Sequence, residues 1–158
     1  MSSISVLTRR STLLLAASAA VFATTGSRAA EEQIVTVYKD PSCGCCSGWV
    51  RHLQQAGFTV KTIETTDLDT VKTGLGVPHE LAACHTAQIG GYVIEGHVPA
   101  VALKRFLNEK PSAIGLAVRG MPVGSPGMEG GSAELYDVVM FGPAGRRTYM
   151  RFVGERAL

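Results

Sequence analysis

The sequence lacks the features of a nucleic-acid-binding protein and of a protein that crosses a membrane repeatedly. It has no run of basic residues and no aromatic residues set among basic ones, which excludes an electrostatic nucleic-acid surface. One apolar segment lies near the start, and neither a second such segment nor an internal repeat follows it. Apolar residues still make up 46% of the 158 residues, which is enough for the core of one domain with an extension.

Residues 1–29 have the pattern of an export signal. Arg9 and Arg10 precede an apolar run at 13–22, which at about ten residues is too short to span a bilayer. Small residues then predict cleavage after Ala29. A membrane anchor or a buried helix is the alternative. The arginine pair also resembles a twin-arginine signal, which exports a folded chain. We therefore expect an exported protein with a signal peptide.

Cleavage at this point would leave a chain of near-neutral charge in an oxidising compartment. The signal carries three arginines and no acidic residue, so its removal changes the formal net charge from +2 to −1. The simplest destination is a bacterial periplasm, where cysteines become disulfides unless a metal or a reductant claims them. We expect the mature chain to be soluble, with no segment inserted in a membrane.

The predicted elements follow the order β-α-β-α-β-β-α, which is the order of a thioredoxin-like α/β fold. Short β-branched runs predict strands, and apolar residues at helical spacing predict helices. We expect a thioredoxin-like domain over residues 30–111 and an extension over 112–158, made of a Gly/Pro/Met-rich loop and a β-hairpin. The predicted elements are strands at 34–38 and 58–63, helices at 46–56, 66–74 and 99–110, a hairpin over 84–97, an irregular stretch at 112–131 and a hairpin over 134–153.

The register of the first hairpin follows from its turn. The two glycines of IGGY suit a two-residue turn, because the primed turns of hairpins need positive φ. Counting outward from the turn places Thr86 opposite Glu95 and Cys84 opposite His97. In a thioredoxin-like fold this strand starts beside the CxxC motif, so Cys84, His85 and His97 are candidates for a second wall of a site. The alternative is that both histidines are strand residues with hydrogen-bonding roles only.

Three of the four cysteines fall within the four residues CGCC. Cys43 and Cys46 form a CxxC at the start of a predicted helix, where backbone N–H groups and the helix dipole favour a thiolate. In a redox role Cys43 is the nucleophile and Cys46 resolves the mixed disulfide. A redox site does not require Cys45. A third thiolate raises the local sulfur density, and soft sulfur selects soft ions, above all Cu(I).

Other uses of the cysteines fit less well. Zinc usually takes a closed shell of four nitrogen or sulfur ligands, which Cys84 or a histidine could complete. The CGCC spacing does not match the common iron–sulfur patterns. Two structural disulfides are a further alternative, although a CxxC loop closes few residues and restrains the unfolded chain little.

Two methionines of the irregular stretch, Met121 and Met128, are further candidate ligands. They lie in GMPVGSPGME, a segment that is unsuited to regular structure and can wrap onto a site. Thioether sulfur, like thiolate, suits Cu(I). The alternative is that they are loop residues without a role. His52 and His79 are expected to be surface residues.

The motifs YKDPSCGCC, VPHELAACHTAQIGGYVIEGHVPA and GLAVRGMPVGSPGME resemble those of the CopG-type proteins, long described as predicted metal-binding proteins. The resemblance covers roughly residues 34–155. It implies a thioredoxin-like domain with a C-terminal extension, a role in copper resistance, and copper held at the CxCC motif in the periplasm. The metal-site residues that it implies are Cys43, Cys45 and Cys46, with Cys84, His85, His97, Met121 and Met128 as further candidates.

The resemblance leaves two roles open, a copper oxidoreductase that interconverts Cu(I) and Cu(II) and a passive copper chaperone. The expected partners are copper ions and a periplasmic copper exporter or an electron-transfer protein. A rival from another class is a metal-free thiol–disulfide oxidoreductase that uses Cys43 and Cys46. The replacement Cys45→Ser discriminates between these functions, because a thiol exchanger should tolerate it whereas a copper site should bind less copper.

Overall fold

The computed structural model describes residues 34–158, so the predicted signal peptide lies outside the described residues. The described chain is a mixed α/β structure with three α-helices and one eight-stranded sheet. The strands are β1 (Val35–Lys39), β2 (Val60–Glu64), β3 (His85–Ile89), β4 (Tyr92–Glu95), β5 (Gly115–Ala117), β6 (Leu135–Gly142), β7 (Gly145–Val153) and β8 (Arg156–Ala157). The helices are α1 (Gly44–Gln55), α2 (Leu68–Gly74) and α3 (Ala100–Glu109), with a 3₁₀ helix at His79–Leu81.

The sheet has the strand order β2-β1-β3-β4-β5-β6-β7-β8. β1 pairs in parallel with β2 and antiparallel with β3, and β3 pairs antiparallel with β4. β5 pairs in parallel with β4, and the remaining neighbours are antiparallel. Through α3 the elements follow the order predicted from the sequence. After α3 the chain extends the same sheet by four strands.

The predicted register of the β3–β4 hairpin is confirmed. Thr86 pairs with Glu95 and Ile89 pairs with Tyr92. The two glycines of the turn have φ values of 56° and 82°, as a primed turn requires. The register therefore followed from turn chemistry alone.

Helix α1 begins two residues earlier than the periodicity predicted. Cys43 is its N-terminal cap, and its Sγ accepts a hydrogen bond from the Cys46 N–H at 3.4 Å. The apolar spacing pointed to the buried positions Cys46 and Trp49, whereas the helix starts at the cap. The earlier start places the whole CGCC motif at the first turn, where unpaired N–H groups stabilise negative charge.

The short strands β5 and β8 were not predicted. β5 lies inside the stretch expected to be irregular, and its three residues are too few to show a period of two. A side chain at Gly115 would collide with β4, because a Cβ there would lie 1.7 Å from the Val93 carbonyl oxygen. This glycine therefore permits the close approach that pairs β5 with β4.

The core lies on both faces of the sheet. On one face α1 and α3 contribute Trp49, Leu53 and Phe106, all fully buried, and the indole N–H of Trp49 donates to the Val98 carbonyl at 2.8 Å. A smaller cluster around Phe141 covers the other face. Within residues 34–158 no helix combines the length and the apolar character needed to cross a bilayer.

His52 was expected at the surface, but it is half-buried and joins α1 to α3. Its Nε2 accepts a hydrogen bond from the Ala100 N–H at 3.0 Å, at the start of α3. Pro99, the cap residue of α3, offers no side-chain hydrogen bond, so His52 supplies an acceptor that the sequence of α3 does not. Burial lowers the pKa of His52, which keeps the ring neutral and able to accept.

We predict that His52 makes stability depend on pH. Its pKa is lower in the folded chain than the ordinary value of about 6.5, so its contribution is present above that value and is lost as the pH falls. His52→Ala should lower the free energy of unfolding by about 1 kcal/mol at pH 7.5, the size of a helix cap, and by less at pH 5. Urea unfolding at both pH values measures this, with exposed His79→Ala as the control. Equal losses at both pH values would contradict the prediction.

Candidate metal centre

The turn between β1 and α1 presents the CGCC motif at the end of the sheet. The Asp40 carboxylate accepts a hydrogen bond from the Ser42 N–H at 2.8 Å, and the Cys43 N–H donates to the Asp40 carbonyl at 3.1 Å. The buried Lys39 ammonium donates to the same carbonyl at 3.0 Å. These bonds fix the turn, and therefore the position of Cys43 relative to the sheet.

The four cysteines lie together, although one of them is distant in sequence. All four Sγ atoms lie within 4.8 Å of one another. Cys43 and Cys46 form a disulfide, and Cys45 and Cys84 are free thiols. The Cys45 Sγ is 3.5 Å from the Cys43 Sγ and 3.7 Å from the Cys84 Sγ. The site thus holds an oxidised CxxC with two thiols beside it.

Cys84, immediately before β3, forms the centre of the second wall. Its Sγ lies 3.0 Å from the His97 Nε2 and 3.3 Å from the His85 Nδ1. Both imidazoles are fully buried, and their ring centroids are 5.0 Å apart. The structure therefore brings together the cysteine and the two histidines that the hairpin register had placed near the motif.

His97 has the hydrogen-bonding arrangement of a metal ligand. Its Nδ1 lies 2.8 Å from the Pro126 carbonyl oxygen. A carbonyl oxygen only accepts, so Nδ1 carries the proton and the neutral ring has its lone pair on Nε2, the atom beside Cys84. Metal-binding histidines characteristically donate their other N–H to a carbonyl or carboxylate in this way.

His85 packs under the site and keeps an unpaired nitrogen. Its ring lies 4.4 Å from that of Trp49, between centroids. Within the described residues its Nε2 is buried and has no hydrogen-bond partner. Buried polar atoms are rarely left unpaired, so this nitrogen marks a place where the protein alone does not satisfy every donor and acceptor.

Burial keeps the second wall neutral. Burial, followed by the neighbouring Cys45, raises the pKa of Cys84 to about 12. Burial also lowers the pKa of His97 and lowers that of His85 well below its usual value. A metal ion that binds here must therefore displace the thiol proton, and its positive charge compensates the thiolate that forms.

The loop of residues 121–128, which we call the methionine loop, brings one of its two thioethers to the cysteine cluster. The Met121 Sδ lies 3.9 Å from the Cys45 Sγ, and Met121 is 52% exposed. The contacts seen for Met128 within residues 34–158 belong to its backbone, which bonds to Ser125 and Gly124. These bonds close the loop, and a role for Met128 as a ligand stays a prediction.

Two glycines allow the methionine loop to pack closely against α1. A Cβ on Gly48 would lie 2.7 Å from the Cα of Gly127, and a Cβ on Gly127 would lie 2.5 Å from the Cys45 carbonyl oxygen. Gly127 also has a φ of 88°, which residues with side chains rarely adopt. Loop and helix can therefore approach this closely only with glycine at both positions.

A buried ion pair, which sequence reasoning missed, supports the segment before β3. The Glu95 Oε1 accepts from the Lys72 ammonium and from the Ala83 N–H, both at 2.6 Å, and its Oε2 accepts from the Thr86 hydroxyl at 2.7 Å. Lys72 also donates to Thr86 at 2.9 Å. The only sequence signal was the predicted pairing of Thr86 with Glu95. The hydrogen bond from the Ala83 N–H to Glu95 fixes the backbone of Ala83 and therefore the position of the adjacent Cys84.

The spacing of the sulfurs fits a soft metal ion. An ion bonded to two thiolates at about 2.3 Å holds the sulfurs about 3.7–4.0 Å apart at tetrahedral to trigonal angles. The distances from the Cys45 Sγ to the Cys84 Sγ and the Met121 Sδ, 3.7 and 3.9 Å, lie in this range. Fold and site together define a mixed α/β protein with a sulfur-rich candidate metal centre.

Comparison with solved structures identifies the family. One structure, described as "Copper resistance protein copG- Form 2", is 41% identical to this chain with a TM-score of 0.73, and the match covers 77% of this chain and 99% of that one. A second, described as Form 1, is also 41% identical with a TM-score of 0.73, over 78% of this chain and all of that one. The chain belongs to the CopG family of copper resistance proteins, which confirms the resemblance seen in its motifs.

A family model described as a protein of unknown function, DUF411, matches residues 81–128. This span includes Cys84, both histidines of the second wall and the methionine loop. No functionally curated protein matches the chain.

We predict that the Lys72–Glu95 pair is essential for stability. Lys72→Met leaves the buried Glu95 carboxylate without its counter-ion and should lower the free energy of unfolding by about 3–5 kcal/mol. The double variant Lys72→Met/Glu95→Gln should recover part of this loss, because it leaves no unpaired buried charge. Urea unfolding of the single and double variants measures both effects.

The exposed Arg105–Glu109 pair supplies the control for this prediction. Arg105→Met should cost far less stability than Lys72→Met, because exposed ion pairs contribute little. A Lys72→Met loss as small as that of Arg105→Met would show that the buried pair does not support the segment.

Proposed function

We propose that this chain is a periplasmic copper-binding protein that holds Cu(I) at the thiolates of its CxCC motif and acts in copper resistance. Copper is its cargo or substrate. The observation that carries the proposal is the convergence of four cysteine sulfurs within 4.8 Å. The copper resistance proteins to which the chain is 41% identical support the choice of metal.

The donor set favours Cu(I) over zinc. Thiolate and thioether are soft ligands, and Cu(I) accepts two or three of them, whereas zinc takes a closed shell of four nitrogen or sulfur ligands. Met121 supports this choice, because its thioether lies against Cys45 and thioether sulfur suits Cu(I). With the disulfide reduced, four thiolates could bridge more than one ion.

The ligand assignment belongs to the proposal. Its core is the four cysteines, and the remaining candidates are His85, His97, Met121 and Met128. The hydrogen bond from the His97 Nδ1 to a backbone carbonyl supports His97 most strongly. The lone pair on its Nε2 is directed at Cys84, where an ion would replace the thiol hydrogen.

The domain organisation is also proposed. Residues 30–111 would form a thioredoxin-like domain, a layout supported by the order β2-β1-β3-β4 with β3 antiparallel to β1. Residues 112–158 would be the extension, which supplies Met121 to the site. Export to the periplasm rests on the signal peptide predicted at 1–29. A copper exporter or an electron-transfer protein would then be its partner.

A redox role would use Cys43 and Cys46. Oxidation of these two thiols to a disulfide releases two electrons and two protons, and the two electrons reduce two Cu(II) to two Cu(I). The disulfide joining these cysteines in the structure supports their use as a redox pair. In this step the chain's own residues supply the electrons, and the neighbouring thiols and His97 hold copper.

A metal-free thiol–disulfide oxidoreductase is the second candidate function. One observation favours it, namely a disulfide at the first turn of α1 with Cys43 as the helix cap, where a thiolate leaving group would be stabilised. In that function Cys43 attacks the substrate disulfide and Cys46 resolves the product. Cys45, Cys84 and the buried histidines would have no part in the chemistry.

We predict that the fully reduced chain binds more than one Cu(I) tightly, because four thiolates can bridge ions. Anaerobic titration against a competing Cu(I) chelator measures the number retained. Cys45→Ser should retain fewer ions, since the Cys45 Sγ lies within 3.9 Å of three other sulfur atoms. His79→Ala, which changes an exposed histidine away from the cluster, is the matched control.

The same preparations separate the two functions. If the reduced chain retains no Cu(I) against the chelator, copper binding is excluded. If Cys45→Ser then reduces a protein disulfide as fast as the wild type, the metal-free oxidoreductase is the correct function.

A further inference from the structure

We propose that the disulfide form of the chain keeps its own site for one Cu(I), formed by Cys45, Cys84 and His97 with Met121 beside it. This inference rests on the proposed copper-binding function and concerns how redox state changes it. The Cys43–Cys46 disulfide would reduce the amount of copper held without emptying the site.

The distances between the donor atoms are those of the structure with the Cys43–Cys46 disulfide formed. With Cys43 and Cys46 joined, the Cys45 and Cys84 thiols still lie 3.7 Å apart. This is close to the separation of two thiolates that share one ion, about 3.7–4.0 Å. The donors needed for a single ion are therefore assembled without any contribution from the disulfide sulfurs.

A nitrogen ligand lies on the other side of Cys84. The His97 Nε2 is 3.0 Å from the Cys84 Sγ, and the Pro126 carbonyl holds the ring in the tautomer with its lone pair on Nε2. An ion that replaces the thiol hydrogen would separate sulfur and nitrogen to about 3.5 Å, at bond lengths of about 2.3 and 2.0 Å. The required movement of about 0.5 Å is small.

The ligand shell is both soft and partly open. Two thiolates and one imidazole satisfy Cu(I), which does not need a fourth ligand. The Met121 Sδ lies 3.9 Å from the Cys45 Sγ on the exposed side and can complete the shell. Met121 is half-exposed, so another molecule could take the ion from this side of the site.

The number of free thiolates limits the disulfide form to one ion. Two thiolates and one Cu(I) carry a net charge of −1, which lies at the N-terminus of α1 and near the Lys72 ammonium. A second Cu(I) would need the sulfurs of Cys43 and Cys46, which as a disulfide are no longer thiolates. Reduction of that disulfide by a dithiol, which itself becomes a disulfide, restores both thiols and with them the larger capacity.

The test compares the two redox forms of the wild-type chain. Cu(I) is supplied anaerobically as its acetonitrile complex, without reductant, against a competing Cu(I) chelator. Thiol counting before and after confirms two free thiols in the disulfide form, those of Cys45 and Cys84. We expect one Cu(I) per chain in the disulfide form and more in the reduced form.

Variants identify the ligands. Cys43→Ser/Cys46→Ser imitates the disulfide form and should also hold one Cu(I). Cys84→Ser should hold none in the disulfide form. His97→Gln should bind Cu(I) at least about 10–100-fold more weakly, the loss seen when a metal ligand loses its hydrogen-bonding partner. Thermal unfolding checks that each variant is folded. The comparison of the disulfide and reduced forms uses the wild-type chain and therefore does not depend on any variant.

The outcomes separate this inference from the proposed function. If the reduced chain holds copper and the disulfide form holds none, the oxidised-state site is refuted while copper binding stands. Equal numbers in both forms would also refute it, because the disulfide would then not change the capacity. If neither form holds Cu(I), both proposals are wrong.

Discussion

The antiparallel pairing of β1 with β3 is the constraint on which the site depends. The register places Lys39, the last residue of β1, opposite His85, the first residue of β3. The chain leaving β1 therefore enters the CGCC turn beside the chain entering β3, so Cys45 and Cys84 meet although they are 39 residues apart. The β3–β4 register then brings His97 to the same end of the sheet.

Packing behind the site makes this convergence rigid. The Glu95 carboxylate ties Ala83 to Lys72 and Thr86 on one side of Cys84. On the other side the contact between Gly48 and Gly127 presses the methionine loop against α1. A site whose sulfurs are held by helix, strand and loop can bind an ion with little reorganisation, which favours affinity.

Much of this arrangement was predictable from local sequence. The glycine pair of the hairpin specifies a two-residue turn, and counting from it placed Thr86 opposite Glu95 and suggested that Cys84 and His97 would meet. Local patterns could not reveal that Lys72 is buried, since an isolated lysine in a short helix normally faces water. Nor could they reveal the fit of Gly48 against Gly127, because such contacts depend on how distant segments pack.

The third cysteine distinguishes this site from a simple CxxC motif. Cys43 and Cys46 form the disulfide of the structure and are the proposed redox pair. Cys45 lies beside that pair and also beside Cys84 and Met121, so the proposed redox pair and the proposed soft ligands belong to one cluster. The proposed copper function needs both, which a CxxC motif by itself does not provide.

Copper K-edge X-ray absorption of the fully reduced chain loaded with Cu(I) tests the central claim most directly. Thiolate coordination predicts a first shell dominated by sulfur at about 2.3 Å, with a smaller nitrogen contribution that His97→Gln removes. A first shell of nitrogen and oxygen alone would show that copper does not bind at the cysteine cluster, and would contradict the proposed function.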